Sequence, residues 1–405
     1  MTYELASITW DEEEYKAINR VIEKGMFTMG ENVRRFEEDF AQKFGSKYAV
    51  MSNSGSSANL IAIAAFCYKK GNPLQPGDEV IVPAISWSTT FYPLMQYGLK
   101  LRFVDVELDT LNMDVSQLEA ALTPKTKMVV GVSILGNPCG LDVMRQFCDK
   151  HNLYFFEDNC ESMGAFLNGK SCGTFGDIGT FSTFFSHHIS TMEGGVSITD
   201  DEELYHLMLA IRSHGWTRHL PPETNIYEKT DDDFYEAYRF IVPGYNVRPL
   251  ELSGAIGIEQ LKKLDNLVKI RRENAETWVS LFGNDERFII QKENGISSWF
   301  SFTVILNPEL GLDKRKIFQT LKKEGIQFRI ITGGNFLRHD VIKYCNHECH
   351  GEIVNANIAH DHGFFIGNHP TDVRNDIKRI HKILDEATMQ QLAGAGSCGS
   401  CGCSS

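Results

Sequence analysis

At 405 residues, 42% hydrophobic and 23% charged, the chain is long enough to bury a substantial core and too apolar for global disorder. A formal net charge of −13, with both signs mixed along the chain, argues against a general nucleic-acid or membrane-surface protein, so any anionic ligand needs a local pocket. The N-terminus lacks the basic segment and apolar core of a signal peptide, and the longest apolar run, residues 59–68, is too short to span a bilayer; a cytoplasmic protein whose ten cysteines are reduced is expected.

Val33, Phe36, Phe40 and Phe44 recur at spacings of three and four, one face of an amphipathic helix. Residues 47–66 then read as a short strand, a Gly/Ser turn and a helix. Further strands are predicted at 78–86, 101–107, 127–135 and 153–159, the last preceded by a helix over 142–152, and again at 179–185 and 194–199. Strands alternating with helical stretches predict an α/β fold, with a mostly parallel sheet covered on both faces. Residues 201–215 read as a helix, 221–238 as an acidic surface loop, and 250–282 as one long helix. A strand, a helix and a strand over 299–306, 314–325 and 327–333 suggest a smaller α/β domain. The expected division is a large domain over 1–265 with an N-terminal helical segment, a small C-terminal domain over 266–390, and a flexible Gly/Ser/Cys tail over 391–405.

Several turns carry polar groups where α/β sheets place ligands. Gly55, Ser56 and Ser57 sit between a strand and a helix, which is either an ordinary N-cap or a phosphate site. Asp158 and Glu161 follow an apolar strand; Asp158 either caps a turn or holds a pyridine nitrogen protonated. Trp87 follows another strand and offers either core or a stacking face. In "FSTFFSHHISTMEGG", residues 181–195, Ser182 brings a hydroxyl and His187 and His188 bring imidazoles that titrate near neutrality. No third ligand lies at helical spacing from the pair, so metal is not expected there.

Taken in order, the Gly/Ser turn, the Trp after a strand, "EDNCE", "FSTFFSHHISTMEGG" and "YNVRPLELSGAIGIEQL" resemble the DegT/DnrJ/EryC1/StrS sugar aminotransferase family over roughly residues 5–390. The resemblance implies the aspartate-aminotransferase-like fold type I of pyridoxal-phosphate enzymes. In the family a lysine six residues before the Glu-Gly-Gly holds the cofactor covalently; here that position is His187. The same exchange marks nucleotide-sugar 3-dehydratases, which remove the C3 hydroxyl of a 4-keto-6-deoxyhexose. The resemblance therefore implies pyridoxamine phosphate condensing with the C4 ketone, His187 as acid and base, and glutamate restoring the amine. By position it implies Gly55, Ser56 and Ser182 at the phosphate, Trp87 on the ring, Asp158 at its nitrogen and Glu161, where the aminotransferases more often have Gln, near its hydroxyl. It implies Asn246 reaching in from a second subunit of a homodimer with shared active sites.

The expected partners are a nucleotide-linked 4-keto-6-deoxyhexose and L-glutamate. GDP-4-keto-6-deoxymannose is favoured through the resemblance alone. Arg329 and Arg218, with His188, are candidate contacts to the substrate. One kind of 3-dehydratase binds a [2Fe–2S] cluster through cysteines after the His motif, and residues 173–344 contain none, which favours the cluster-free kind. Cys345, His347, Cys349 and His350, and the tail's Cys398, Cys401 and Cys403, are read as a mobile helix end and a disordered tail rather than metal ligands. Two other readings stay open, a sugar aminotransferase and a catalytically silent sugar-nucleotide-binding relative; Asp158, Glu161 and His187 together count against the silent one.

Overall fold

The computed structural model describes residues 2–397. In chain order its first strands are β1 (Tyr48–Ser52), β2 (Glu79–Pro83), β3 (Lys100–Val104), β4 (Thr126–Val132) and β5 (Tyr154–Asp158). A short hairpin of β6 (Phe166–Leu167) and β7 (Lys170–Ser171) follows, then β8 (Ile178–Ser182) and β9 (Gly195–Thr199). Seven of these, with one later strand, form a sheet of order β1-β9-β8-β5-β4-β2-β3 in which only β9 runs against the rest. Every residue of β2 and β8 is buried, as helices on both faces require. The helix Gly55–Tyr68 is apolar all round beyond its first turn and Asn59: Ile61 to Phe66 are fully buried between the sheet and the helices Ser88–Gln96 and Glu202–Arg212. This is the aspartate-aminotransferase-like α/β architecture expected from the sequence.

The second sheet contains β10 (Phe288–Ile289), β11 (Ser301–Leu306), β12 (Phe328–Arg329) and, after a strand β13 (His347–Cys349) that belongs elsewhere, β14 (Gly363–Gly367). Its order is β10-β11-β14-β12, antiparallel throughout. The helices Lys314–Lys323 and Arg374–Ser397 pack together beside it. Trp278, stacked on Phe282 at 4.0 Å and on Phe302 at 4.7 Å, is the largest fully buried side chain of its core. Each such aromatic contributes on the order of 1.5–3 kcal/mol by leaving water.

The long helix Glu251–Phe282 joins the two sheets and crosses the expected boundary at 265/266 without a break. Its Ile258, Leu261 and Leu264 pack with Val33 and Phe36, whereas Ala275, Trp278 and Phe282 belong to the core of the second sheet. Three features depart from the expected division. Tyr3 packs into the second core, its hydroxyl donating to the Gly367 carbonyl at 2.8 Å. In return β13, expected as a mobile helix end, extends the large sheet by pairing parallel to β3. Edge pairing satisfies its backbone while His347, Glu348 and Cys349 stay exposed. The last helix runs to Ser397, past the expected start of the tail at 391; residues 398–405, with Cys398, Cys401 and Cys403, lie outside the described residues. Among the described residues no helix is long and apolar enough to cross a membrane, and no group of three or more His, Cys, Asp and Glu stands ready for a metal ion.

Candidate active site

A cleft of about 630 Å³ opens where the parallel strands end, the usual ligand position in such sheets. It is lined by Gly55 and Ser56 after β1, Trp87 after β2, Asp158 and Glu161 at and after β5, and Ser182 and His187 at and after β8. From the other side Phe300, Arg329 and Thr332 close it.

One end of the cleft is built for an anion. Ser54 caps the helix that starts at Gly55: its Oγ accepts from the Ser57 amide at 3.1 Å, and its carbonyl takes the Ala58 amide. That leaves the amides of Gly55 and Ser56, at a buried helix's positive end, for a ligand. Gly195 ties this turn to Ser182: it pairs with Ser52 on one side and with Ser182 on the other. A Cβ on Gly195 would lie 2.2 Å from the Ser54 carbonyl oxygen, and one on Gly55 would lie 2.7 Å from the Ser182 Cβ. The Glu-Gly-Gly turn is therefore a packing demand of the anion site. Gly55→Ala should weaken cofactor binding by about 10-fold or more, the scale of a modest overpacking strain, read by fluorescence titration.

Asp158 lies next to this turn, at the end of β5. Its Oδ2 accepts from Asn59 Nδ2 at 2.8 Å and Thr90 Oγ1 at 2.7 Å, and its Oδ1 accepts from the Cys160 amide at 3.1 Å. A carboxylate has about four acceptor positions, so one on Oδ1 remains for a cationic N–H in the cleft. Asn59 is itself held by Thr180, whose hydroxyl donates to its Oδ1 at 2.6 Å. Trp87 is 57% exposed, so the expected stacking face is free rather than consumed by the core.

His187 sits on the loop between β8 and β9. Two ladder-like bonds close that loop, Phe185 N–H to the Met192 carbonyl at 3.0 Å and Thr183 N–H to the Gly194 carbonyl at 2.9 Å. The ring packs on Phe300, centroids 5.1 Å apart, and its buried Nδ1 has no hydrogen-bond partner among the described residues. Burial, helped by the Arg271 charge, lowers its pKa from 6.5 to about 4, so the imidazole is neutral and free to accept a proton. Glu161 is shifted the other way. Burial, then the negative Asp158, raise it from 4.5 to about 7, against the Leu135 amide and the Thr332 hydroxyl, which hold it down. Environments that separate a base and an acid in this way are typical of proton-transfer sites.

These shifts act oppositely on stability. Lowered below its ordinary value, the His187 pKa makes the cofactor-free protein lose stability as pH falls from 6.5 towards about 4; raised, that of Glu161 makes it lose stability as pH rises from 4.5 through about 7. Glu161→Gln should therefore steepen the gain in melting temperature between pH 4.5 and 7. An unchanged slope would mean that Glu161 titrates normally.

Not every expected residue reaches the cleft. His188 does not: it is fully buried, its Nε2 3.2 Å from the Ser298 carbonyl oxygen, and it braces the segment that carries Phe300. The expectation that it touches substrate is corrected, because the turn that points His187 outward points its neighbour into the core. Arg218 is exposed beside Trp216, 5.1 Å from its ring, and Asn246 is exposed with its Oδ1 accepting from Arg248 at 3.0 Å; neither lines this chain's own cleft. Arg329 lies on the rim. Sequence reasoning passed over Asn59, Thr90, Leu135, Phe300 and Thr332. Asn59 stands one helical turn beyond Gly55 and was readable as inward-facing; Thr90 comes from the first turn of the helix Ser88–Gln96 and the other three from turns and a strand end, and no local pattern reveals their approach.

An anion cradle at a helix start, a carboxylate with one open acceptor position and an indole face fit a phosphorylated, protonated pyridine such as pyridoxal or pyridoxamine phosphate. Among the described residues no lysine lines the cleft. Residues 9–385 match the family model of the DegT/DnrJ/EryC1/StrS aminotransferase family. The chain is 51% identical over 386 residues to a GDP-4-keto-6-deoxy-D-mannose 3-dehydratase of Yersinia pseudotuberculosis, covering 95% of this chain and 98% of that one. An E. coli GDP-4-keto-6-deoxy-D-mannose-3-dehydratase structure with bound hydrated PLP superposes with a TM-score of 0.92 at 50% identity, over 95% of this chain and 99% of that one. A GDP-4-keto-6-deoxymannose-3-dehydratase structure with a trapped PLP-glutamate geminal diamine gives a TM-score of 0.93 at 49% identity, over 94% of this chain and 100% of that one.

Proposed function

The chain belongs to the DegT/DnrJ/EryC1/StrS aminotransferase family, and from that premise we propose how its own residues carry the chemistry. It is a pyridoxal-phosphate-dependent 3-dehydratase of a GDP-linked 4-keto-6-deoxyhexose, with glutamate as amino donor. The observation that carries the reading is His187, a neutral imidazole in the cleft at the place where the family's covalent lysine would stand.

When bound, pyridoxamine phosphate supplies the amine that condenses with the C4 ketone and a ring that stores the electron pair. The amides of Gly55 and Ser56 and the Ser182 hydroxyl take the phosphate. Asp158, fixed by Asn59, Thr90 and the Cys160 amide, keeps the pyridine nitrogen protonated. Trp87 covers the ring, and Glu161 faces its hydroxyl. His187 would take the proton from the cofactor's C4′ carbon, the transfer that departure of the C3 hydroxyl requires. The net change the bound group would support is loss of the C3 hydroxyl with release of ammonia, glutamate restoring the amine as it becomes 2-oxoglutarate, and in both halves His187 would move the proton. A lysine at position 187 would compete for the aldehyde form of the cofactor; imidazole does not.

Arg329, which lines the cleft, is our candidate contact to the diphosphate. We further infer a homodimer in which Asn246 and Arg218 of one protomer reach the cleft of its partner. Both are exposed on the 213–250 segment, which carries the exposed Phe240 and Leu250, and Leu250 bridges to Thr28 beside the exposed Met26 and Phe27. An apolar surface of that kind asks for a partner.

The test is product analysis with GDP-4-keto-6-deoxymannose and glutamate, in air, without iron or a reductase. Equal amounts of 3-deoxy sugar, ammonia and 2-oxoglutarate are expected over many turnovers, and borohydride should fix no cofactor to a lysine. An amino sugar as product, or a need for a reductase, would sink the assignment.

A further inference from the structure

Glu161 is held by two donors with the same unusual backbone. Its Oε2 accepts from the Leu135 amide at 2.9 Å and the Thr332 hydroxyl at 3.2 Å, and these residues lie in the left-handed region with φ of 51° and 41°. That region is costly for any residue with a Cβ and most of all for a β-branched one. Such backbone persists only where the surroundings over-determine it, and it gathers at functional sites.

The surroundings are visible. Leu135 lies in the turn after β4, held as its carbonyl accepts from Phe300 N–H at 3.0 Å and the Gly136 carbonyl accepts from Ser298 N–H at 2.9 Å. Thr332 follows β12 in the other sheet, in a turn closed by Gly334 N–H to the Ile331 carbonyl at 2.5 Å and by Asn335 N–H to His360 Nδ1 at 3.2 Å. The two donors thus come from opposite walls of the cleft and converge on one oxygen. Oε1 accepts no hydrogen bond within the described residues and is left for the cleft.

We propose that Leu135 and Thr332 form a positioning clamp on Glu161, which ties the turn after β12 to the aim of the carboxyl group beside Asp158. Glycine would occupy position 332 without strain, but it has no hydroxyl; threonine is tolerated there because the contact to Glu161 is made. The charged group facing Glu161 is Asp158, and the Leu135 amide and the Thr332 hydroxyl are the donors that offset its repulsion. Without the Thr332 hydroxyl, Glu161 loses one of the two and keeps its proton to higher pH. The clamp rests on the reading of Glu161 as a cofactor-side carboxyl.

The experiment uses cofactor-free protein labelled with carboxyl-¹³C glutamate, the Glu161 signal being assigned by its absence in Glu161→Gln. Thr332→Val, which keeps the shape and removes the hydroxyl, should raise the Glu161 midpoint by at least about half a pH unit, the scale of one modest hydrogen bond. Thr332→Ser should titrate as wild type. Thr332→Gly relaxes the left-handed turn, should melt no lower than wild type, and should show the same upward shift. The clamp is overturned if Val and Gly both titrate at the wild-type midpoint, or if Ser shifts as far as Val. Since the readout needs no cofactor, it stands or falls apart from the cofactor contact of Glu161, which a binding titration of Glu161→Gln tests.

Discussion

His187→Asn is expected to lower kcat by about 10²–10⁴-fold while leaving the melting temperature and the affinity for pyridoxamine phosphate close to wild type. That is the usual worth of a positioned acid/base group. The imidazole is neutral, unpartnered at Nδ1 and packed on Phe300, and makes no hydrogen bond that the fold depends on. Asparagine fills much of the same space and cannot take a proton near neutral pH. Single-turnover kinetics with preloaded cofactor isolate the step, since glutamate plays no part in the first deoxygenation. Near-normal turnover would mean that the base lies elsewhere. His188 is a poor substitute, being fully buried against the Ser298 carbonyl, with burial and then the charge of Arg271 driving its pKa well below the ordinary value.

Asp158→Asn should be nearly as damaging by another route. The carboxylate offers one remaining acceptor position to the ring nitrogen, and the isosteric amide lacks the charge that keeps a proton there. A loss of about 10²–10³-fold in kcat is expected, comparable to removing one preorganised partner of developing charge. Cofactor affinity should fall about 10- to 100-fold, since a hydrogen bond to a charged group contributes roughly 1.5–3 kcal/mol. The amide also turns an N–H towards Asn59, Thr90 or the Cys160 amide, all of which donate to Asp158, so a modest drop in melting temperature should accompany the kinetic loss. Asn59→Ala, which leaves the carboxylate in place but removes one donor, should show a smaller kinetic effect of the same sign. If Asp158→Asn keeps kcat within a few-fold of wild type, the ring nitrogen is held by something else.

Most of the large sheet was legible in the chain, and so was half of the site. Parallel strands buried on both faces must be continuous apolar runs, and the residues after them must be the turns that face a ligand. That constraint is local, so Gly55, Trp87, Asp158, Glu161, Ser182 and His187 could be read as standing at or after strand ends, while the choice of ligand roles over capping and core roles came from the family resemblance. His187 against His188 was a matter of counting back from Glu193, and the structure places His187 in the cleft and His188 in the core. Gly194 and Gly195 read as a tight return, and the structure adds the reason: a Cβ on Gly195 would meet Ser54 and one on Gly194 would meet Thr183 and Thr191.

What the chain alone left open is what depends on distant segments meeting. β13 reads as a polar scrap because an edge strand is stabilised by the backbone of β3 rather than by its own side chains. Tyr3 joins the core of a sheet formed more than 280 residues later, and no periodicity announces that. Phe300, Leu135 and Thr332 acquire their roles only when the two sheets close on the cleft, since hydrogen bonds and ring packing across it depend on angles set by the whole helix Glu251–Phe282. Local pattern thus determined the elements and the chemistry-bearing turns, whereas the tertiary structure decided which walls face each other, because through-space contact between remote segments is a property of packing and not of residue order.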